Sequence, residues 1–529
     1  MRSYIPALFA LTAAVPVMAA TCESLATVKL ENATITSAKM VAPGAFEVPA
    51  AAPPAGAAAK GAIPPDGAKG GGKGNGKGPN PYANLPEFCR VTATLTPSKD
   101  SDIKVEIWFP QPANWNGKYQ AVGNGGWAGT ITYNAMGTAL ERGYATSSTD
   151  TGHVGGRGTF LLDHPEKLTD YSYRSVHEMV LKSKELIRAL YASPARYSYW
   201  VGCSTGGRQG VTEAQKYPND FDGIIAGAPA NYFIHLHAWS IWINQAVNKT
   251  PESFLDTKDL QTLHAGALKA CDALDGVTDG VIDNPKKCKF DPATIQCSAT
   301  MTTGCLTAPQ VAAAKMIYSP AINPRTKAEV FPPIEPGSEL VWTILGGRKT
   351  ADVAADTFRY LVFEDENWNP MTLNFDADIT KADKLAEAFS LNSTSPDLSK
   401  YFSHGGKLLM YHGWSDQLIA PGNSINYYNN VMQKAGGAAK TADELKLYMV
   451  PGMQHCNGGD GPNVFDAVTQ LEQWVEHSKT PDTMVASHSA PGPGGAVDRT
   501  RPLCAYPKVA KYSGTGSTNE ATNFSCVVP

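Results

Sequence analysis

The sequence lacks a surplus of either charge. In 529 residues, 45 Lys and Arg stand against 49 Asp and Glu, a formal net charge of −4, so no basic field exists to recruit nucleic acid or an anionic membrane surface. There is no long apolar run after the first twenty residues, which removes a bilayer-spanning body. No C-x-x-C pair occurs among the 10 cysteines, and zinc-ribbon and thioredoxin-like readings lose their basis. No repeat recurs at the ~20 to 50-residue periods of solenoids and propellers. Charged residues are also few, 18% against 43% apolar, which excludes global disorder and supplies more than one small core. The length suits two or three average domains, or one α/β scaffold with large insertions.

The one long apolar run opens the chain. Arg2 precedes an apolar stretch from Ile5 to Val17, and Val17-Met18-Ala19-Ala20 offers small residues for cleavage, so residues 1–20 read as a secretory signal. The mature chain then enters an oxidising compartment with all ten cysteines, an even number that suits disulfides. Ten cysteines allow roughly 900 connectivities. Short separations favour the local pairs Cys271/Cys288, Cys297/Cys305 and Cys504/Cys526, and spacing alone leaves the rest open. Sequons at Asn32, Asn248, Asn392 and Asn523 suit a secreted surface.

Residues 50–82 are dominated by Ala, Pro, Gly and Lys, a composition that cannot bury apolar area and reads as a flexible surface loop. Strand patterns follow at Val91–Leu95, Ile103–Phe109 and Lys118–Val122, the last running into Gly123-Asn124-Gly125-Gly126. A helical period spans Tyr171–Tyr191, and Tyr197–Val201 and Gly223–Ala226 read as buried strands. This is α/β grammar. Residues 230–397 break it, being Trp- and Asn-rich and holding four cysteines, and read as an inserted lid. Strands return at Lys407–Tyr411 and Leu445–Val450, with a helix around Ser424–Ala435 between them. The expected organisation is an α/β-hydrolase core over 21–229 and 398–529, a mostly parallel sheet with helices on both faces, interrupted by the lid.

Gly202-Cys203-Ser204-Thr205-Gly206-Gly207 fits G-x-S-x-G and sits between a strand and a helix. In that setting the glycines permit a strained turn that lifts a serine hydroxyl above the sheet. A serine is a weak nucleophile until a base takes its proton and an acid orients the base, and on this scaffold the chain order is Ser, Asp or Glu, then His. Beyond Ser204, one strand ends in His412-Gly413-Trp414-Ser415-Asp416 and the next in Pro451-Gly452-Met453-Gln454-His455-Cys456. Both lie past strand carboxyl ends, where such sheets place ligand chemistry. Ser204 is assigned as nucleophile, His455 as general acid and base, Asp416 as orienter, and His412 as lining the substrate pocket. Cys203 and Cys456 flank the nucleophile and the base, so a bridge between them would tie the two together, although each could pair elsewhere. The Thr205 amide is the expected first oxyanion donor and Gly126, on the glycine loop, the second.

In the lid, Cys271-Asp272-Ala273-Leu274-Asp275-Gly276-Val277-Thr278-Asp279-Gly280-Val281 gathers three carboxylates around glycine turns. The spacing is not that of an EF-hand, and a solvated acidic turn and a metal loop stay equally open.

With Cys203-Ser204, Asp416 and His455-Cys456 assembled, the chain resembles the tannase/feruloyl esterase family of α/β-hydrolases, and within it the secreted type B feruloyl esterases. Leu85-Pro86-Glu87-Phe88-Cys89-Arg90-Val91, Trp115-Asn116-Gly117-Lys118, Gly123 to Gly129, Ser148 to His153 and Gly202 to Gly207 all look like family segments. The resemblance implies bridges Cys22/Cys89, Cys203/Cys456, Cys271/Cys288, Cys297/Cys305 and Cys504/Cys526. It also implies a structural calcium in the lid, held by the Asp272, Asp275 and Asp279 side chains and the Val277 and Val281 carbonyls, and no organic cofactor. The expected function is a secreted serine carboxylesterase acting on feruloyl and p-coumaroyl esters of plant cell-wall polysaccharide. Tannin acyl hydrolysis is the alternative within the enzyme class, and a calcium-dependent binding module the alternative outside it. The insertion at 50–82 departs from the family pattern, and lid positions such as Arg359 and Trp368 match no particular aromatic acid.

Overall fold

A computed structural model describes residues 20–49, 80–490 and 495–529. The signal reading for 1–20, Ala20 apart, and the loop reading for 50–82, residues 80–82 apart, lie outside the described residues. The scaffold is one nine-stranded sheet. Its first seven strands are β1 (Ala33–Val41), β2 (Phe88–Leu95), β3 (Ile103–Pro110), β4 (Lys118–Val122), β5 (Ala145–Thr149), β6 (Tyr197–Cys203) and β7 (Gly223–Gly227). A separate short pair follows, β8 (Ala321–Ile322) and β9 (Glu329–Phe331), and the large sheet resumes with β10 (Lys407–Gly413) and β11 (Leu445–Val450). The order is β1-β2-β3-β5-β4-β6-β7-β10-β11. β1, β2, β3 and β5 pair antiparallel; from β5 to β11 every pairing is parallel. Parallel strands need crossovers that cover both faces, which explains the almost unbroken burial of β4, β7, β10 and β11; β6 is buried at Ser198, Tyr199 and Trp200 and half-buried toward its serine end.

β5 has no apolar pattern and no strand expectation, yet all five of its residues are buried. Its sequence, Ala145-Thr146-Ser147-Ser148-Thr149, is tolerated there because three of its four hydroxyls find partners, that of Thr146 being the exception. Ser147 Oγ meets the Tyr119 hydroxyl at 2.6 Å, Ser148 Oγ accepts from the Thr132 amide at 3.0 Å, and Thr149 Oγ1 accepts from the Thr151 amide at 3.1 Å. Periodicity cannot reveal a strand whose burial rests on hydrogen bonds. The helical period expected from Tyr171 starts as a wider π-type turn at Asp170–Arg174 before the regular helix Ser175–Tyr191.

Between β7 and β10 the chain packs helices Phe233–Val247, Thr257–Cys271, Ala308–Ile317 and Ala377–Ala388 around one apolar cluster with Trp239, Phe331, Trp342 and Phe358 at its centre. Trp127 and Tyr171 from the sheet side enter the same cluster. All ten cysteines are paired as Cys22–Cys89, Cys203–Cys456, Cys271–Cys288, Cys297–Cys305 and Cys504–Cys526. Among the sequons, Asn32 is exposed, whereas Asn248 and Asn523 direct their side-chain amides to the carbonyls of Gly347 and Ser517. No helix among the described residues is long and apolar enough to cross a membrane.

Candidate active site

At the end of β6 the chain reverses sharply into helix Thr205–Lys216, and Ser204, at its N-terminal cap, takes φ 63° and ψ −123°. A non-glycine residue in that region costs roughly 1–3 kcal/mol and persists only where its surroundings dictate it. The glycines around it are steric requirements. A Cβ on Gly202 would stand 2.4 Å from the Gly206 carbonyl oxygen, and one on Gly207 would stand 2.3 Å from that of Gly227. The turn is tied down by the Ser204 amide on the Gly227 carbonyl at 3.0 Å and the Gly206 amide on Asn124 at 2.7 Å. Ser204 therefore sits at the positive end of a helix dipole, 8% exposed.

Asp416 lies just past β10 and His455 just past β11, and these strands are parallel neighbours in register through Gly413 and Val450. Main-chain bonds stitch the two loops together: Trp414 donates to Val450 at 2.9 Å and Ser415 to Met453 at 3.0 Å. His455 Nδ1 lies 2.8 Å from Asp416 Oδ2. The other oxygen, Oδ1, accepts the amides of Leu418 at 2.8 Å and Ile419 at 2.9 Å. Burial by itself would raise the pKa of this fully buried carboxyl, but the opposing charge of His455 and the hydrogen bonds from His412 and His455 outweigh it. Asp416 is held well below the ordinary carboxylate range. An ionised Asp416 fixes the proton of His455 on Nδ1 and leaves Nε2 as the acceptor.

The Cys203–Cys456 bridge, with Cα atoms 6.0 Å apart, joins the residue before Ser204 to the residue after His455. Cys456 itself has φ 64°. The three polar residues thus come from three loops, two clamped by sulfur and two by main-chain and carboxylate bonds.

His412 differs from the sequence expectation. It is wholly buried, with both ring nitrogens engaged by protein partners. Its Nε2 faces two acceptors, Asp416 Oδ2 and the Ile419 carbonyl, both at 3.0 Å, so Nε2 carries the proton, and Nδ1 accepts from Ser424 Oγ at 2.7 Å. The physical reason is the strand itself: position 412 still belongs to β10, whose side chains pack into the protein, while the loop proper begins after Gly413. His412 holds the acid in place.

Gly126 has φ 51°, and its carbonyl accepts from Thr205 Oγ1 at 2.9 Å and the Tyr171 hydroxyl at 2.6 Å, which seats the glycine loop beside the nucleophile turn. Sequence reasoning passed over the residues that hold this loop. Gln209 accepts the Asn124 amide at 3.1 Å and donates Nε2 to Asn124 Oδ1 at 3.0 Å, and Asn124 Nδ2 reaches the Thr130 and Thr149 carbonyls at 2.9 and 2.8 Å. Gln209, one turn after Ser204 on the buried helix face, was the available signal. Trp127 Nε1 donates to the Val353 carbonyl at 3.0 Å, linking loop to lid. In the lid, Trp368 stacks on Phe358 and Phe363, and Arg359 reaches Asp352 at 3.4 Å.

In the acidic loop, the Asp272 carboxylate accepts the amides of Asp279 at 3.1 Å and Gly280 at 3.0 Å, Asp275 accepts that of Val277 at 2.9 Å, and Asp279 that of Val281 at 3.3 Å. Arg499 and Arg501 pair with Asp279 at 2.9 and 2.6 Å. A fourth acid, Asp283, was missed by the sequence reading. Burial, and then repulsion from Asp275 and Asp279, push its carboxyl well above the ordinary range, and burial raises Asp275 as well. Four carboxylates within one short loop, with Asp283 and Asp275 raised by burial and Asp279 already paired with two arginines, form an oxygen-rich donor set of the kind calcium takes, so the residue types present fit that ion.

The sheet order, the strained serine turn and the Asp–His pair past adjacent parallel strands define an α/β-hydrolase. The family model for tannase and feruloyl esterase matches residues 89–527. A probable feruloyl esterase B-2 of Neosartorya fischeri is 34% identical, covering 83% of this chain and 86% of the relative, and an uncharacterized esterase of Xanthomonas campestris pv. campestris is 33% identical over 96% and 91%. The crystal structure of feruloyl esterase B from Aspergillus oryzae superposes with a TM-score of 0.84 at 30% identity, covering 96% and 99% of the two chains. The tannin acyl hydrolase of Aspergillus niger shares the fold, with a TM-score of 0.76 at 22% identity. The chain belongs to the tannase and feruloyl esterase family, whose members are carboxylic ester hydrolases.

Proposed function

We propose that the protein is a secreted serine carboxylesterase that hydrolyses hydroxycinnamoyl esters, feruloyl and p-coumaroyl, carried on plant cell-wall polysaccharide. The observation that supports it most is the covalent join of Cys203 to Cys456, which ties Ser204 in its strained turn to a His455 already oriented by an ionised Asp416. Ser204 Oγ attacks the ester carbonyl while its proton passes to His455 Nε2. The developing oxyanion is met by the amides of Thr205 and Gly126, and His455 returns the proton to the departing alcohol. Water, deprotonated by His455, then releases the aromatic acid from Ser204. Two named feruloyl esterases among the relatives support the choice of acyl group. Five disulfides with no free cysteine among the described residues support secretion.

A structural calcium belongs to the same reading, held by Asp272, Asp275 and Asp279 and the carbonyls of Val277 and Val281, with Asp283 adjoining. The ion supplies positive charge that lets the loop's carboxylates share one site. The test is turnover of methyl ferulate, methyl p-coumarate and methyl gallate by wild type and Ser204→Ala. Preference for the two cinnamates and a loss of roughly 10⁴-fold or more in the variant are expected; gallate preference overturns the acyl assignment, and full activity of Ser204→Ala overturns the mechanism.

A further inference from the structure

Two turns along the helix that Ser204 caps, Glu213 meets His177, in the first turn of helix Ser175–Tyr191, and Asp220, on the loop before β7. An imidazole nitrogen and two carboxylate oxygens from these residues lie within 4.8 Å of one another. None of the three takes part in the chemistry above. His177 Nδ1 is 2.6 Å from Asp220 Oδ2, and its ring stacks flat on Tyr217, with centroids 3.7 Å apart and planes 5° from parallel. Two of the ligands are therefore already oriented.

Glu213 is the odd member. It is 1% exposed, and neither carboxylate oxygen has a hydrogen-bond donor. A buried acceptor without a donor is costly and calls for an account. The nearby Lys184 does not supply one, because its ammonium goes to the main-chain carbonyls of Asp220 at 2.6 Å and Asn219 at 3.5 Å. What faces Glu213 is Asp220, another acceptor. Only a positive charge, a proton or a cation, satisfies both.

We propose that His177, Glu213 and Asp220 form a second metal site, separate from the acidic loop, for a divalent transition ion of the zinc or manganese type. One nitrogen and two carboxylate oxygens are a borderline donor set that suits these ions; calcium takes six to eight oxygens. Three protein ligands leave room for a water, and the half-buried edge of His177 gives an entry path. Binding replaces the His177–Asp220 hydrogen bond by two metal–ligand bonds: the neutral imidazole carries its single proton on Nε2 once Nδ1 ligates, and any further proton, on the ring or held between the carboxyls, is released to solvent. The ion would tie the helix that starts at the nucleophile to its neighbour.

The site is tested on untagged, calcium-saturated protein with cobalt(II) as the probe. Wild type should bind one equivalent with visible d–d absorption, zinc should displace it, and zinc should raise Tm. His177→Gln and Glu213→Gln should lose the band and the Tm shift, while Asp279→Asn, in the acidic loop and outside this cluster, should keep both. No absorption and no Tm shift in wild type overturns the proposal and leaves the two carboxyls sharing a proton; so does a band that survives in His177→Gln. Should Glu213→Gln fail to fold, the wild-type titration and His177→Gln still decide.

Discussion

The loops that carry Ser204 and His455 are joined by a bridge spanning 253 residues of sequence, whereas the bridge at the acidic loop, Cys271–Cys288, spans 17. In a chain-entropy account the longer closure stabilises by about 2 kcal/mol more. The more telling contrast lies in the buried aspartates beside each bridge. Asp416 is driven below its ordinary pKa because two imidazoles and two amides converge on it. Asp283 and Asp275 are driven above theirs because burial brings them together with too few donors. The same side chain is thus fully satisfied in one region and crowded by other carboxylates in the other. The active site is a finished piece of electrostatics held by a long-range clamp, and the acidic loop is a locally stapled cluster of carboxylates.

The largest test of that contrast is Asp416→Asn. An amide cannot hold His455 in the Nδ1–H tautomer, so kcat on methyl ferulate should fall about 10⁴-fold with the fold intact by circular dichroism. A fall of less than about tenfold would break the view that this carboxylate completes the site. Next is the pair of bridge deletions. Cys203→Ala/Cys456→Ala should lower kcat by about 10²-fold through misplacement of the nucleophile and base. Cys271→Ala/Cys288→Ala should leave kcat near wild type and lower Tm. Equal effects on kcat would erase the distinction between the two bridges.

Smaller still is calcium removal. Chelation should lower Tm by about 2 °C or more while kcat at 25 °C changes little, and Asp279→Asn should make Tm insensitive to chelator. Unchanged Tm in wild type would count against a bound ion. The smallest expected effect is in the acid limb of stability. Because the native pKa of Asp416 is depressed, its contribution is fully present above the unfolded value of about 4 and is lost as pH falls below that toward the native value. Urea unfolding of wild type and Asp416→Asn between about pH 6 and about pH 3 should show the wild-type advantage shrinking at the acid end.

Much of this was legible in local sequence. The strand patterns at Lys118–Val122 and Leu445–Val450 coincide with β4 and β11, because strands buried on both faces are mostly apolar, with a lysine tolerated at a half-buried position in each. The G-x-S-x-G turn was legible because its glycines answer to sterics a few residues away. β5 was illegible because its polar residues are buried by partners from Tyr119 and Thr132, and the role of His412 was illegible because it depends on where β10 ends.

By itself the sequence determined most of the core's alternation of strands and helices, β5 excepted, the glycine-flanked serine turn, and the two cysteines set beside Ser204 and His455, since each follows from composition, period or spacing along the chain. Only the tertiary structure decided that the Asp416 carboxyl is pushed down while that of Asp283 is pushed up, that Gln209 locks the glycine loop, and that Glu213 lacks a donor. Those outcomes depend on hydrogen-bond partners and local dielectric contributed by residues far away in the chain, and neither quantity exists until the sheet has brought them together.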